Sequence, residues 1–308
     1  MSNNEAFHAG EVAVQQRAGE AAIAERNISV LSDTVIGGAR PFIAKQFMVA
    51  LASVDRDGHV WSSLLFGKPG FVHTETGRDI DIAVPDKERD GADPLWDNIK
   101  GNPDLGMLFI EIASRRRYRV NGTVTRLDAA GAGVTIREAY PNCPKYIQRR
   151  HLRQLGEAVV PVQTAQGTVL RGAVADIVQR ADTIFVASRH AQNGADASHR
   201  GGTPGFVHLV DETTLRIPDY DGNSLFNTLG NIEADPHAGL CIPDFANGQL
   251  LQLTGTASIE WDQDDPAHLT GGTGRFWTFR VTRWIVRDTP QRLDWEYLDA
   301  SPFNPPAV

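Results

Sequence analysis

Residues 194–229 concentrate side chains that could bind a small ligand. The stretch supplies hydroxyl, imidazole, guanidinium and amide groups together with two glycines: Ser198, His199, Arg200, Gly201, Gly202, Asn223, Asn227 and Thr228. Because glycine has no side chain, a flat or phosphorylated ligand can approach the backbone closely at such positions. The sequence therefore predicts that this stretch forms one wall of a ligand site.

Part of this region occurs twice in the chain. Residues 69–73 and 204–208 both read Pro-Gly-Phe-Val-His. Two later pairs of blocks keep nearly the same offset: 102–110 with 235–242, and 119–123 with 252–256. An offset that is held across three separate blocks indicates a duplicated structural unit.

The composition limits the classes of function. A chain of 308 residues has room for two domains of ordinary size. The 30 Lys and Arg against 38 Asp and Glu give a net charge of −8, which disfavours a nucleic-acid partner. An apolar run long enough to span a membrane and a signal-peptide core are both absent from the sequence, so we expect a soluble, cytoplasmic protein with no membrane partner. The two cysteines and nine histidines show no metal-ligand spacing, so no metal site is predicted.

The hydrophobic pattern predicts two similar sets of strands. In the first half we expect a surface helix at 7–27, a hairpin of strands 47–54 and 59–66, a helix at 93–100 and strands at 79–84, 105–112 and 117–127. The second half repeats the plan, with strands at 183–188, 214–218, 238–243, 249–260 and 275–286 and a helix from about residue 224. Strands joined by tight turns with one inserted helix favour small antiparallel barrels, and hence a mainly β fold with helices (α+β).

The connection between the halves begins at residue 142. Pro144 suits the first position of a helix, so the sequence predicts a helix over 144–163 whose N-terminus could bind an anion through Lys145 and Tyr146. A solvated basic linker helix is the alternative. The tail after Trp295 is expected to lie across the other half.

This order of strands, turns and helix resembles the pyridoxamine 5′-phosphate oxidase-like family of FMN-binding split barrels. The runs 196–202 and 142–148 are similar to the tandem, two-barrel branch of that family. The resemblance implies an N-terminal helical leader at 1–40, a first split barrel with a degenerate site at 41–141, a connecting helical segment at 142–181, and a second barrel with the flavin site and tail at 182–308.

The resemblance also implies which residues bind FMN. Ser198, His199 and Arg200 with Asn223, Asn227 and Thr228 would hold the flavin phosphate, while Gly201 and Gly202 would run beneath the ring. Asn227 and Thr228 stand where the family has a basic pair, so Arg200 or His199 would supply most of the charge. The first barrel, with Leu64 and Leu65 at the matching positions, would serve as a lid that offers Lys145 and Tyr146 or Arg117 and Arg119.

Simpler interpretations of three features remain open. Arg115 to Arg119 could be the solvated face of an edge strand, His199 a structural hydrogen-bonding residue, and Ser198 part of a local turn. Whether the two barrels pair within one chain or across a homodimer is also open.

The resemblance predicts an FMN-dependent oxidoreductase that acts on a small, planar substrate or a nicotinamide such as NAD(P)H, with no catalytic residue assigned. The alternative is a flavin or haem binding or storage protein without turnover. Pyridoxamine phosphate oxidase itself ranks third, because the sequence lacks basic residues for a phosphorylated substrate beside the flavin phosphate.

Overall fold

The computed structural model describes residues 6–305. The chain begins with helices α1 (Ala9–Arg17) and α2 (Ala21–Asn27), and the short helix α3 (Arg40–Ala44) precedes the first barrel. The single surface helix predicted at 7–27 is therefore wrong in two respects. The helix is interrupted at Gly19, whose φ of +72° lies in the left-handed region. In addition, α1 buries the side chains of Glu11 and Gln15 rather than exposing them to solvent.

The helices and strands of the first half follow the predicted order. They are β1 (Met48–Val54), β2 (Val60–Phe66), β3 (Val72–His73), β4 (Asp79–Ile82), α4 (Leu95–Gly101), β5 (Asp104–Glu111), β6 (Arg116–Asp128) and β7 (Gly131–Asn142). The connection contains β8 (Arg149–Ala158), β9 (Thr164–Gly167) and α5 (Ala173–Arg180). Short 3₁₀ turns lie at Ile28–Val30, Gly37–Ala39, Asp86–Glu88 and Ile112–Ser114.

The second half repeats this order. Its elements are β10 (Thr183–His190), β11 (Gly194–Gly201), β12 (His208–Asp211), β13 (Thr214–Pro218), α6 (Asn227–Ala234), β14 (His237–Asp244), β15 (Gln249–Glu260), β16 (Phe276–Asp288) and β17 (Gln291–Asp299). One sheet has the strand order β2-β1-β5-β6-β7-β4-β3, and the other has the equivalent order β11-β10-β14-β15-β16-β13-β12, with β9 added beside β16. The predicted fold class, two tandem split barrels, is confirmed.

Strand β1 shows why the two barrels stay together. Its seven residues are all buried, because one face packs into the barrel core and the other into the interface between the barrels. Val49 and Leu51 belong to the core of the first barrel, whereas Ala50 and Ala52 belong to a cluster that also contains Phe185 and Cys241 of the second. A strand buried on both faces reads as a continuous apolar run, as this one does.

Two equivalent glycines permit the close approach of the barrels. A Cβ on Gly106 would lie 2.7 Å from the backbone nitrogen of Ala197, and a Cβ on Gly239 would lie 2.5 Å from the carbonyl oxygen of Val60. Each contact joins a central strand of one barrel to the second strand of the other. The two barrels therefore pair within one chain in this structure, and a homodimer stays a prediction.

The helix predicted at 144–163 is wrong. Residues 149–158 form β8, which pairs antiparallel with β17 as a separate two-stranded ribbon. Ion pairs across this ribbon join Arg149 to Asp299 and Arg153 to Glu296. The tail contacts the first half as expected, since Arg115 also bonds to Asp299. Among the described helices, none has the length and apolarity required to cross a bilayer.

Candidate functional site

A polar cleft lies where the two barrels meet. The first barrel contributes β6 and the chain from Asn142 to Tyr146, and the second contributes the end of β11, the loop 219–226 and the start of α6. The cleft contains about 760 Å³ of empty space, part of which is open to solvent. Both halves of the chain are therefore needed to form it.

Two guanidinium groups in this cleft have little compensating charge. Arg117 donates to the carbonyl oxygens of Cys143, Lys145 and His199, and among residues 6–305 it has no carboxylate partner. The carboxylate nearest to the Arg200 guanidinium is that of Asp219, at 4.0 Å from Nη2. The Nε atoms of both arginines are buried and make no hydrogen bond to any described residue. The cleft thus presents unused donors and excess positive charge.

The counter-charge of Asp219 is already in use. Its carboxylate accepts a hydrogen bond of 3.1 Å from Arg275 Nε, which is the closer of its two arginine neighbours. Arg119 differs from Arg117 and Arg200, because its guanidinium lies 3.0 Å from Asp196 and donates to the Tyr140 hydroxyl at 2.9 Å. Arg119 is therefore neutralised within the protein, whereas Arg117 and Arg200 are not.

The pKa values reflect this accumulation of cations. Burial, together with the nearby charges of Arg200 and Arg119, lowers the pKa of Arg117 to about 9. Burial also lowers the pKa of Arg200. An anion between these groups would offset both effects, because opposite charge favours the charged form of a base.

Arg117 is also not on an edge strand, since β6 lies between β5 and β7.

His199 is a neutral hydrogen-bond donor in the ligand-free protein. It is 3% exposed, and burial together with Arg117 and Arg200 lowers its pKa well below the usual value. Its Nδ1 lies 3.3 Å from Arg117 Nη1, which can only donate, so the ring proton is assigned to Nε2. That Nε2 is buried without a partner among the described residues. The lowered pKa favours the neutral ring in the ligand-free protein, and a charge on His199 beside a bound phosphate stays a prediction.

The start of α6 adds backbone donors to the cleft. Residues 226–229 line it, and no side chain caps the helix. The first N–H groups of a helix lack intrahelical partners and carry a partial positive charge, which favours an anion. Asn227 and Thr228 lie here as predicted, but their side chains are occupied: Asn227 donates to Glu11, and Thr228 donates to Ser198.

The structure brings eight of the ten predicted residues into the cleft: Lys145, Tyr146, His199, Arg200, Gly201, Asn223, Asn227 and Thr228. Ser198 and Gly202 do not line it. Ser198 is completely buried behind Thr228, and the position of a Cβ on Gly202 lies 2.7 Å from the Phe206 side chain. The first-barrel residues Arg117 and Arg119, named as alternatives for the lid, also line the cleft.

Gly201, the last residue of β11, and Gly202, which follows it, are both required by packing. A Cβ on Gly201 would lie 2.2 Å from the carbonyl oxygen of Tyr146, so glycine permits the two barrels to touch at this point. A Cβ on Gly202 would meet Phe206. The space that the glycines leave open is thus filled by the protein itself.

An aromatic pair from the two barrels forms one side of the cleft. The rings of Tyr146 and Tyr220 lie 4.6 Å apart, tilted by 34°. Sequence reasoning did not select Tyr220. The signal available was an aromatic residue between two aspartates in the loop that precedes the helix, Asp219 and Asp221.

The corresponding space in the first barrel is filled by the protein's own ion pairs. The strand register shows which residues are equivalent in the two barrels. Leu65 of the first barrel occupies the position of Arg200 in the second. Leu250 of the second barrel occupies the position of Arg117 in the first, and Arg287 that of Asn142. The Arg287 guanidinium is 1% exposed and bonds to the carboxylates of Asp90 and Asp93. The cavity beside Arg287 contains about 320 Å³ of empty space, compared with about 760 Å³ in the cleft. That the first barrel has lost a ligand site of its own remains a prediction.

Two split barrels that share one cation-lined cleft define a tandem split-barrel protein. The family model described as pyridoxamine 5′-phosphate oxidase matches residues 38–154 and 170–276, which cover both barrels. The chain belongs to this family, and the resemblance inferred from the sequence is confirmed.

Each of the following solved structures matches about two fifths of this protein, whereas nearly the whole of the solved chain is covered. HupZ of Group A Streptococcus is 16% identical, with a TM-score of 0.28, over 41% of this chain and 93% of its own. A putative pyridoxamine 5′-phosphate oxidase of Lactobacillus delbrueckii is 13% identical, with a TM-score of 0.29, over 38% and 98%. A pyridoxamine 5′-phosphate oxidase-related, FMN-binding protein of Nostoc punctiforme is 13% identical, with a TM-score of 0.26, over 42% and 96%. A comparison with curated proteins gives no match.

Proposed function

We propose that this protein is an FMN-dependent oxidoreductase that binds one flavin per chain in the cleft between its barrels. One observation carries the proposal. Arg117 from the first barrel and Arg200 from the second meet in the cleft with buried, unpartnered Nε atoms and little compensating negative charge. Such an arrangement is costly unless an anion occupies it.

The chemistry of these donors fits the phosphate of a flavin nucleotide. Guanidinium groups make strong, directional hydrogen bonds to phosphate oxygens, and a phosphate offsets more than one positive charge. The uncapped start of α6 and the neutral Nε2–H of His199 add donors that carry no full charge. Together they would fix the phosphate end of the ligand at the boundary of the two barrels.

The remaining walls favour a flat group. Tyr146 and Tyr220 present aromatic surface from opposite barrels, and burial raises the pKa of Tyr146 to about 12, so its hydroxyl stays protonated at neutral pH. A bound flavin supplies the hydride chemistry at its N5, and the protein binds, orients and shields the reactants. We expect a small, planar substrate or a nicotinamide such as NAD(P)H at the open side of the cleft.

A flavin or haem binding protein without turnover is the second candidate. One observation favours it: neither His199 nor Tyr146 exchanges a proton near pH 7, because the pKa of His199 is well below neutrality and that of Tyr146 is about 12. These two side chains can therefore contact a ligand without offering it an acid or a base.

Recovery of the bound ligand tests the proposal. The purified protein is heated, and the mass and absorbance spectrum of the released molecule are recorded; the ligand-free protein is then titrated with FMN, FAD, a deazaflavin and haem. FMN at one per chain, bleached by NADH or NADPH and reoxidised by air, supports the oxidoreductase. A bound chromophore that stays inert to both nicotinamides supports the storage protein. A colourless protein whose titration with FMN changes no absorbance contradicts the proposal.

A further inference from the structure

The loop 219–226, here called the pocket loop, provides much of the cleft wall but has a strained backbone. Ser224 and Phe226 have φ values of +61° and +60°, in the left-handed region that side chains with a Cβ rarely adopt. Such a backbone conformation is unfavourable and persists only when its surroundings enforce it. The loop therefore needs contacts that hold it in this shape.

Those contacts come from the N-terminal helices. Gln15 Nε2 donates to the Leu225 carbonyl oxygen at 3.1 Å, Ser224 Oγ donates to Glu20 at 2.7 Å, and Asn27 Nδ2 donates to the Asn223 carbonyl oxygen at 2.8 Å. Among residues 6–305, every hydrogen bond that links residues 220–225 to the rest of the protein ends on one of these three side chains. The second barrel thus leaves most of its own loop to be held by residues that precede the first barrel.

Apolar packing follows the same division. The Leu225 side chain is completely buried in a cluster with Phe7, Ala24 and Tyr140, so the N-terminal segment provides much of its surroundings. Helix α1 also lies directly on α6, where a Cβ on Gly10 would be 2.3 Å from the Gly230 carbonyl oxygen. The loop and the helix that follows it are both covered by residues 7–27.

Glu20 connects the two ends of the pocket loop. One carboxylate oxygen accepts from Ser224, and the other lies 3.3 Å from Arg275 Nη1. Arg275 in turn donates to Asp219, the first residue of the loop. Glu20 does not use its side chain to cap α2, so these bonds are its hydrogen-bonding role among the described residues.

We propose that residues 7–27 act as a brace that holds the pocket loop in its ligand-binding conformation, with Glu20 as the main positioning residue. Glu20 does not line the cleft, so it acts through Ser224 and Arg275 rather than on a ligand. When the binding-competent fraction of a protein falls to about a tenth, its apparent Kd rises about tenfold. Loss of the brace should therefore weaken binding without removing any group that contacts the ligand.

The test compares Glu20→Ala with Glu25→Ala, which removes an exposed carboxylate from the same helix. Amide hydrogen exchange of Leu225 and Gly230, whose N–H groups donate to Asn223 and Phe226, is measured on the full chain, together with the Kd for FMN and the melting temperature. We expect Glu20→Ala to speed exchange in the loop at least tenfold and to raise the Kd about tenfold, while Glu25→Ala changes neither. Glu20→Gln, which keeps an acceptor for Ser224, should recover part of both losses.

A second variant removes the brace by a different route. Gly10→Ala places a methyl group against the Gly230 carbonyl oxygen and should displace α1 from α6, with the same faster exchange in the loop. Wild-type exchange rates at Leu225 and Gly230 in folded Glu20→Ala and Gly10→Ala would overturn the brace. The exchange measurement needs no ligand, so the brace stands or falls separately from the FMN proposal: a wild-type protein that ignores FMN removes the function but not this contact.

Discussion

Replacement of Arg200 by alanine should separate ligand affinity from stability. In the ligand-free protein the polar contacts of the Arg200 side chain with residues 6–305 are long, 3.4 Å to the His199 carbonyl oxygen and 4.0 Å to Asp219. Asp219 keeps its bond to Arg275 when Arg200 is absent. Removal of Arg200 also relieves repulsion with Arg117, whose pKa it helps to lower. We therefore expect the free energy of unfolding to change by less than about 0.5 kcal/mol or to rise.

The affinity for FMN should change far more. A charge-assisted hydrogen bond to phosphate contributes about 1.5–3 kcal/mol, which corresponds to a rise in Kd of about 10- to 150-fold. Flavin fluorescence quenching gives the Kd, and urea unfolding of the ligand-free protein gives the stability. Lys68→Ala is the matched control, because it removes an exposed cation, 71% accessible, from the first barrel. It should leave the Kd unchanged.

Two results would refute this reasoning. A Kd within twofold of wild type in Arg200→Ala would place the phosphate elsewhere. A large loss of stability in the ligand-free variant would show that Arg200 is a structural residue whose charge the protein already compensates.

Three further predictions concern stoichiometry, the buried ion pairs and pH. Equilibrium dialysis should give one FMN per chain, since Arg287 and its carboxylates fill the space equivalent to the cleft; two per chain would contradict this. Arg287→Ala should lower the free energy of unfolding by about 3–5 kcal/mol, because it leaves the buried Asp90 and Asp93 without their cation; the triple variant with Asp90→Asn, Asp93→Asn and Arg287→Met should regain much of that loss in the same urea titration. Burial raises the pKa of Glu11 to about 8, so between pH 6.5 and 8 the folded state holds a proton that the unfolded state has lost. Stability should then fall by up to about 1.4 kcal/mol per pH unit in this window, and Glu11→Gln should flatten the slope.

The barrel strands were predictable because their signals are local. Alternating apolar residues and turn glycines set β13 and β15, and the predicted spans 214–218 and 249–260 agree with the structure to the residue. The sequence around Phe71 is repeated around Phe206, so the strands predicted for one barrel could be compared with those predicted for the other. The strands follow from patterns within a few tens of residues, whereas the duplication is visible only in blocks that recur in the two halves of the chain.

The connection was mispredicted because its partner is distant in sequence. Residues 149–158 carry three arginines and a glutamine, which favour a helix, yet they pair with β17 more than 130 residues later. Carboxylates of that strand, Asp299 and Glu296, neutralise Arg149 and Arg153. A local propensity cannot report such pairing, and tertiary contacts override it.

The candidate site was predictable in its residue types but not in its supports. Arg200 and His199 stood out by their chemistry, whereas Glu11 and Gln15 looked like solvated positions of a surface helix and are 3% and 1% exposed. Tyr220 gave too weak a signal to select. Buried polar residues that serve a distant loop carry no periodic pattern of their own.

The internal pairing of Gly106 with β11 and Gly239 with β2 has a consequence for how this protein can change over generations. In a symmetric pair of identical subunits, every substitution appears in both copies of a shared pocket. Here the two halves are encoded separately and held together by one polypeptide. Arginines could accumulate on one side while leucines filled the other, because both walls of the pocket belong to one polypeptide.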